Sequence, residues 1–337
     1  MTFGVAVLGT GRIGGGYVDV SKETPGARMV VVAEPREEQV APLKEKHPDV
    51  EFVADFREAI NRDDVDIVFC TLPHWLHKDA AIEAARASKH VYTEKPTAAW
   101  LADGEEMMGE AQKAGVKLMT AHTQRYFPSV IAIQEIIRSG RFGKPIMAHD
   151  IWHFDYRPQV RPPWMLDRKF GGGMGLMAVI HQLDRLLWFF GDDVLSVTAR
   201  VGALTHPEQD KSDDSAMYFL RWKNGMVATL SMCAWRGGAT EYGGDVFFEN
   251  GMAKFRISYG GEGDDTGVWV ADSKKGEWTF EPVPETNSFQ DEFSAFIKSL
   301  ERGDEDTPVP QQYGLRILKI LEAAEESSRT QQEIFID

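Results

Sequence analysis

Residues 5–14 read Val-Ala-Val-Leu-Gly-Thr-Gly-Arg-Ile-Gly, an apolar run that passes straight into Gly9-x-Gly11-x-x-Gly14. Few short patterns restrict a backbone this far. The first glycine permits a tight strand-to-helix turn, the second lets the backbone approach a pyrophosphate without a Cβ, and the third allows close helix–strand packing. The helix that follows offers free N–H groups to a phosphate. Three glycines alone are weak evidence, and context makes these credible. Met29-Val-Val-Val-Ala33 supplies a second buried strand, and it ends at Glu34, where a ribose-binding carboxylate belongs. The expected cofactor is NAD, because a carboxylate there accepts hydrogen bonds from the ribose 2′-OH and repels a 2′-phosphate. Arg36, two residues on, could pair with that phosphate and keeps NADP as the alternative. Thr10, Arg12 and Ile13 complete the loop expected to hold the nucleotide.

Up to about residue 122, apolar strand-like runs alternate with helical patterns. Strands are expected near 3–8, 29–33, 66–70, 90–92 and 116–120, and helices near 12–22, 36–46, 55–61, 77–87 and 98–114. This alternation predicts a doubly wound parallel sheet. The rhythm then changes to a helix at 129–138, a loop rich in aromatics and prolines, and a strongly apolar helix at 174–190. Alternating strands follow, at 193–201, 216–222 and 226–232, with Lys223-Asn-Gly225 as a hairpin turn. The fold class expected is α/β: a dinucleotide-binding Rossmann domain over residues 1–122 and an α+β domain over 123–337.

The net charge of −15, from 52 acidic against 37 basic side chains, argues against a nucleic-acid partner, which needs clustered Lys and Arg. Cys70 and Cys233 sit in apolar stretches and make no disulfide framework, so a cytoplasmic location is expected. No run of eighteen apolar residues occurs and the first residues already belong to a strand, so neither a membrane span nor a cleaved leader is expected.

Two further strand ends carry chemistry. The run Asp66-Ile-Val-Phe-Cys70 ends in Thr71-x-Pro73-His74-x-x-His77, and His90-Val-Tyr-Thr runs into Glu94-Lys95-Pro96. Open parallel sheets bind ligands beyond the C-terminal ends of their strands, so these loops should face a cofactor. His74 and His77 lack a third ligand at recognisable spacing, so no metal is expected. No nucleophile elbow is present.

With these motifs in hand, the chain resembles the Gfo/Idh/MocA family over essentially its whole length. The resemblance rests on Gly9-x-Gly11-x-x-Gly14, the Thr71-to-His77 loop, Glu94-Lys95-Pro96, Arg125-Tyr-Phe-Pro128, Trp164 before Gly171-Gly-Gly173, His181-x-x-Asp184 and the tail from Tyr313 to Ser327. It implies an N-terminal Rossmann domain and a C-terminal substrate-binding domain with a large, mostly antiparallel sheet whose outer face makes homo-oligomer contacts, as a dimer or tetramer. The implied activity is hydride transfer between NAD(P) and a secondary hydroxyl or ketone of a sugar, inositol or related polyol. Lys95 orients the reacting oxygen and His181 acts as general acid/base. Cofactor contacts are expected from Thr71, Pro73, His74, His77, Glu94 and Lys95 besides the glycine loop.

Substrate contacts are expected from Lys95, Arg125, His153, Tyr156, Trp164, Asp167, His181 and Asp184, with Asp155, Arg157 and Arg168 beside them. Arg157, Arg161 and Arg168 would also suit a carboxylated or phosphorylated sugar. One departure from the family pattern matters. Many sugar and inositol dehydrogenases of this type carry an aspartate four residues before the histidine, and this chain has Met177 there. Methionine cannot raise the basicity of an imidazole, and Asp184 is the remaining candidate to orient the ring. Two other functions stay open: a redox-assisted glycoside hydrolase or lyase that keeps its NAD, and a non-catalytic nucleotide-binding regulator.

Overall fold

The computed structural model describes residues 2–235, 237, 239–257 and 267–337. Two compact units divide the chain: Met1–Thr123 with Asn287–Leu315, and Gln124–Thr286 with Arg316–Asp337.

The first unit alternates β1 (Phe3–Leu8), α1 (Gly14–Glu23), β2 (Ala27–Ala33), α2 (Glu37–Lys46), β3 (Glu51–Val53), α3 (Phe56–Ile60), β4 (Ile67–Cys70), α4 (His77–Arg86), β5 (His90–Thr93), α5 (Leu101–Ala114) and β6 (Leu118–Thr120). Its six described strands are all parallel, in the order β3-β2-β1-β4-β5-β6. β1 and β4 are buried at every position, which is why they read as unbroken apolar runs. The strand order reverses between β1 and β4. The loops after those two strands, Gly9–Ile13 and Thr71–Pro73, therefore flank the crevice where such sheets take ligands.

The second unit contains α6 (Pro128–Ser139), β7 (Pro145–Asp155), a π-turn at Gly175–Val179 leading into α7 (Ile180–Phe190), and the strands β8 (Val194–Gly202), β9 (Ser215–Trp222), β10 (Val227–Trp235), β11 (Glu241–Phe248), β12 (Gly251–Arg256), β13 (Val268–Asp272) and β14 (Thr279–Glu281). α8 (Ser288–Arg302) belongs to the first unit. α9 (Gln311–Thr330) and β15 (Ile334–Phe335) close the chain. Nine described strands form a sheet ordered β14-β13-β12-β11-β7-β10-β9-β8-β15, antiparallel except where β7 meets β10. On β9 the exposed residues are Met217, Phe219 and Arg221, while Ala216, Tyr218, Leu220 and Trp222 are buried against the helices of the unit.

The boundary expected at residue 122 lies one residue from the observed break, but the chain after it is not one domain. Residues 287–315 return to the first unit because α8 carries Phe293, Phe296 and Ile297 at helical spacing, all wholly buried against Phe69, Tyr92 and Tyr17. The apolar helix expected at 174–190 is helical throughout that range, with its first turn wound as π.

Candidate functional site

In the first unit, β1 ends at Leu8 and the chain turns at Gly9, whose φ of +86° a side chain would strain. A Cβ on Gly14 would sit 2.2 Å from the Gly9 carbonyl oxygen and 2.4 Å from Thr71 Oγ1, so glycine is compulsory there. A Cβ on Gly11 would meet no protein atom within 4 Å. The protein's own packing does not require glycine at position 11, which is what a residue reserved for close approach by a ligand should show. Thr71 holds the loop from the neighbouring strand, donating its hydroxyl to the carbonyls of Gly9 (2.6 Å) and Leu8 (3.0 Å). No side chain caps the N-terminus of α1, so its leading N–H groups suit a phosphate.

Glu34 lies beside this loop and is almost wholly buried. Its Oε2 accepts from the Thr10 N–H at 2.8 Å and the Thr10 hydroxyl at 3.1 Å, and Arg36 donates to both carboxylate oxygens, at 2.7 and 2.9 Å. Burial alone would push this carboxyl up; the hydrogen bonds from Arg36 and Thr10 outweigh it and hold it at about 2. Glu34 is thus a fixed anion at any ordinary pH. These residues fit NAD: an unobstructed backbone approach, an uncapped helix start and a permanent carboxylate at the ribose position.

At the end of β5, the Glu94 carboxylate accepts from the Tyr17 hydroxyl at 2.8 Å and from the Lys95 N–H at 3.1 Å. Burial lowers the basicity of the Lys95 amine, Glu94 opposes that, and Arg12 adds to it. Behind this pair sits Glu292 of α8, wholly buried, accepting from the His122 N–H at 2.5 Å and from the Thr123 hydroxyl at 2.7 Å. Burial pushes its carboxyl up to about 8.

In the second unit, His181 opens α7. Gly175, Met177 and His181 are partly exposed between fully buried neighbours, so Met177 and His181 share one stripe. The His181 ring lies 5.8 Å from Trp152 of β7, which stacks on Tyr242 of β11 at 4.2 Å. Beneath them is a buried polar web. Arg185 donates to both oxygens of Asp150 (3.0 and 2.7 Å), to the Tyr242 hydroxyl (2.8 Å) and to Gln124, while Gln182 donates to Asp150 at 2.8 Å. Buried polar groups are tolerated only when paired this way, and the pairing fixes α7 against the sheet.

Residues 3–122 match the oxidoreductase family model with an NAD-binding Rossmann fold, GFO/IDH/MocA, and residues 130–254 match the GFO/IDH/MocA C-terminal domain. The chain belongs to the Gfo/Idh/MocA family. It is 32% identical over 219 residues to the 2,7-anhydro-N-acetylneuraminate hydratase of Mediterraneibacter gnavus, which covers 65% of this chain and 58% of that protein. It is 28% identical over 307 residues to the myo-inositol 2-dehydrogenase of Thermotoga maritima, covering 89% of each. The chain therefore spans less than two thirds of the first of these relatives and most of the second. Among solved structures, the aldose-aldose oxidoreductase of Caulobacter crescentus, complexed with glycerol, shares the fold over the full length of both chains, with a TM-score of 0.88 at 23% identity.

Several residues expected to touch ligands in this Gfo/Idh/MocA chain are committed elsewhere. Arg125 and Asp184 pair with each other, at 2.6 Å in the closest contact and with 5% and 1% of their side chains exposed, as a buried ion pair between α7 and the segment before α6. His153 lies on the other face of β7 from Trp152, within 3.1 Å of Ser231 Oγ, because successive strand residues alternate faces. Tyr156 is buried against Phe154, His206 and the Arg161 guanidinium. His77 is wholly buried with its ring nitrogens 2.9 Å from the Pro96 carbonyl and 2.8 Å from that of Leu72, so it ties the two cofactor-side loops together.

Trp164 and Asp167 remain partly exposed, and Asp167 caps a short turn by accepting from the Lys169 N–H. Of the arginines singled out, Arg157 pairs with Asp155 and Arg168 with Glu325. Trp152, Gln124, Tyr242 and Arg185 escaped the sequence reading. Period-two alternation from the buried Asp150 would have pointed to Trp152; nothing local pointed to the others. Among the described residues no group of three or more His, Cys, Asp or Glu side chains could hold a metal ion, and no helix is long and apolar enough to cross a membrane.

Proposed function

We propose that this chain is an NAD-dependent oxidoreductase that interconverts a secondary hydroxyl and a ketone on a sugar, inositol or related polyol. The observation that carries the reading is the shared edge of the parallel sheet: the ligand-ready glycine loop, the fixed Glu34 carboxylate and the Glu94–Lys95 pair lie beyond the C-terminal ends of β1, β2 and β5. NAD, when bound, supplies the hydride acceptor. Lys95 holds the substrate oxygen as it becomes a carbonyl, favouring the developing negative charge in reduction and orienting the hydroxyl in oxidation. His181 takes the hydroxyl proton, since imidazole exchanges protons near working pH. Trp152, beside His181, offers an aromatic edge to the C–H face of a ring. The relatives named for inositol and for aldoses support this substrate class. Glu34 as a permanent anion favours NAD over NADP.

The test is a panel of sugars, sugar acids and inositols with NAD and with NADP, read at the nicotinamide absorbance. Reduction of NAD by at least one cyclic polyol is expected; a flat trace across the panel rejects the reading. A second reading is favoured by two observations, Met177 in place of the dyad carboxylate and a relative named as a hydratase. In it, substrate is oxidised only transiently and NAD is regenerated, so product forms without net absorbance change.

We also propose a homo-oligomer built on the outer face of the nine-stranded sheet, where Met217, Phe219, Trp235 and Phe335 stand exposed, and a cytoplasmic location consistent with the free thiols of Cys70 and Cys233. Light scattering should give a dimer or tetramer, and Phe219→Glu should shift it towards monomer.

A further inference from the structure

The second unit carries a carboxylate that the proposed chemistry leaves unused. Asp213, just before β9, directs its Oδ2 to the N–H of Gly175 at 2.8 Å, and its backbone carbonyl accepts from Met174 N at 3.2 Å. Its Oδ1 fills the space beside Gly173, where a Cβ would come within 2.2 Å of it. Gly173 has a φ of +97°, and a Cβ on Gly172 would strike the Trp164 and Met165 carbonyls. Gly173 is therefore moulded around Asp213, and Gly172 around the Trp164–Met165 backbone. After these glycines comes the π-turn Gly175–Val179, then Ile180 and His181.

A π-turn inserts one residue into helical hydrogen bonding, and one residue is about 100° of rotation about the axis. Relaxation of that turn to an ordinary α-turn would swing everything upstream of it by that angle relative to His181. We propose that Asp213 is a positioning residue for His181: its carboxylate anchors the start of the π-turn through Gly175 and so sets the direction in which the imidazole points. The inference rests on the proposed role of His181 in the oxidoreductase reading.

The surroundings give the anchor a pH dependence. Facing Asp213 are Arg168 from the preceding loop, which pairs with Glu325 of α9 at 2.8 Å, Glu325 itself, Tyr218 of β9, Tyr156 and the adjacent Asp214; the π-turn contributes no charge. Burial pushes the Asp213 carboxyl up to about 6, with Glu325 adding to the rise and the Gly175 N–H and Arg168 opposing it. Above that pH the anchor is an anion accepting a charge-assisted hydrogen bond; below it, the bond weakens to a neutral one.

The test is Asp213→Asn, which keeps size and an acceptor oxygen but cannot ionise. The expected result is a kcat roughly ten- to hundredfold below wild type above pH 6, an unchanged KM for NAD, and a gap to wild type that narrows as pH falls through about 6, where the wild-type Asp213 is itself neutral. A variant within twofold of wild-type kcat above pH 6, or a gap that stays the same on both sides of pH 6, overturns the proposal. A crystal structure of the same variant decides it independently of turnover: a π-turn and a His181 side chain unmoved from wild type overturn it, and a reset turn with a rotated His181 supports it. If the wild type oxidises no polyol, the substrate reading fails while the crystallographic arm still judges Asp213. Should the Asn variant not fold, Gly173→Ala, whose methyl displaces the same carboxylate, is expected to give the same rotated His181, and an unmoved one overturns the proposal.

Discussion

At the scale of single residues, the reading turns on Lys95, His181 and the methionine four positions before it. Lys95→Ala should lower kcat by roughly a hundredfold or more, the range that positioned proton-transfer and charge-stabilising groups supply. The glycine loop and Glu34 are untouched by it, so NAD affinity from fluorescence titration should stay within about threefold, a small change against the tenfold that 1.4 kcal/mol represents. Wild-type turnover in that variant removes Lys95 from the chemistry. Met177→Asp places a carboxylate on the same partly exposed stripe as His181. An anion near imidazole favours the protonated ring, so the acid limb of the pH–rate profile should move to higher pH. An unmoved limb would show that the absent carboxylate is not what distinguishes this chain. Arg125 and Asp184 form a buried pair, so removing either partner leaves a buried charge alone and should cost about 3–5 kcal/mol by chemical denaturation.

The elements explain why two glycines of one motif should respond differently. A methyl on Gly14 collides with the Gly9 carbonyl and Thr71, so Gly14→Ala must displace either α1 or the loop, and a loss of about 1–3 kcal/mol in folding stability is expected. A methyl on Gly11 meets no protein atom. Gly11→Ala should melt within about 0.5 kcal/mol of wild type while binding NAD at least tenfold more weakly by calorimetry, and unimpaired NAD binding would deny the loop its assigned role. α8 works on the same principle of face and spacing. Phe293, Phe296 and Ile297 form an apolar stripe at helical spacing, and such a stripe says only that a helix is buried, not against which sheet. Phe296→Ala should destabilise by about 3–5 kcal/mol, as deletion of a wholly buried phenyl ring does.

Across the whole molecule, the acid buried deepest in the first unit predicts how stability varies with pH. Glu292 has its carboxyl raised to about 8 from an ordinary value near 4.5. The folded state therefore keeps a proton that the unfolded chain releases, and stability should fall as pH rises between those values, with a slope approaching roughly 1.4 kcal/mol per pH unit, and level off above about 8. Glu292→Gln should flatten that slope, giving equal stability in acid and a gain in mild alkali by urea denaturation; an unchanged slope would mean the carboxyl titrates normally. What the residues dictated by themselves were the features set by local rules: the βαβ rhythm, the glycine turn with its acid at the end of β2, the Lys95 strand end and the helix that carries His181. Those rules act through steric limits on neighbouring residues and through periodicities of 2 and 3.6, which are written along the chain. Tertiary structure alone decided that Arg125 belongs to Asp184 and Arg185 to Asp150, that His153 and Trp152 part company across one strand, that α8 returns to the first sheet, and that Asp213 meets Gly175. These are pairings between residues far apart in sequence, and a charge or a ring carries no mark of its partner until burial removes water as the alternative.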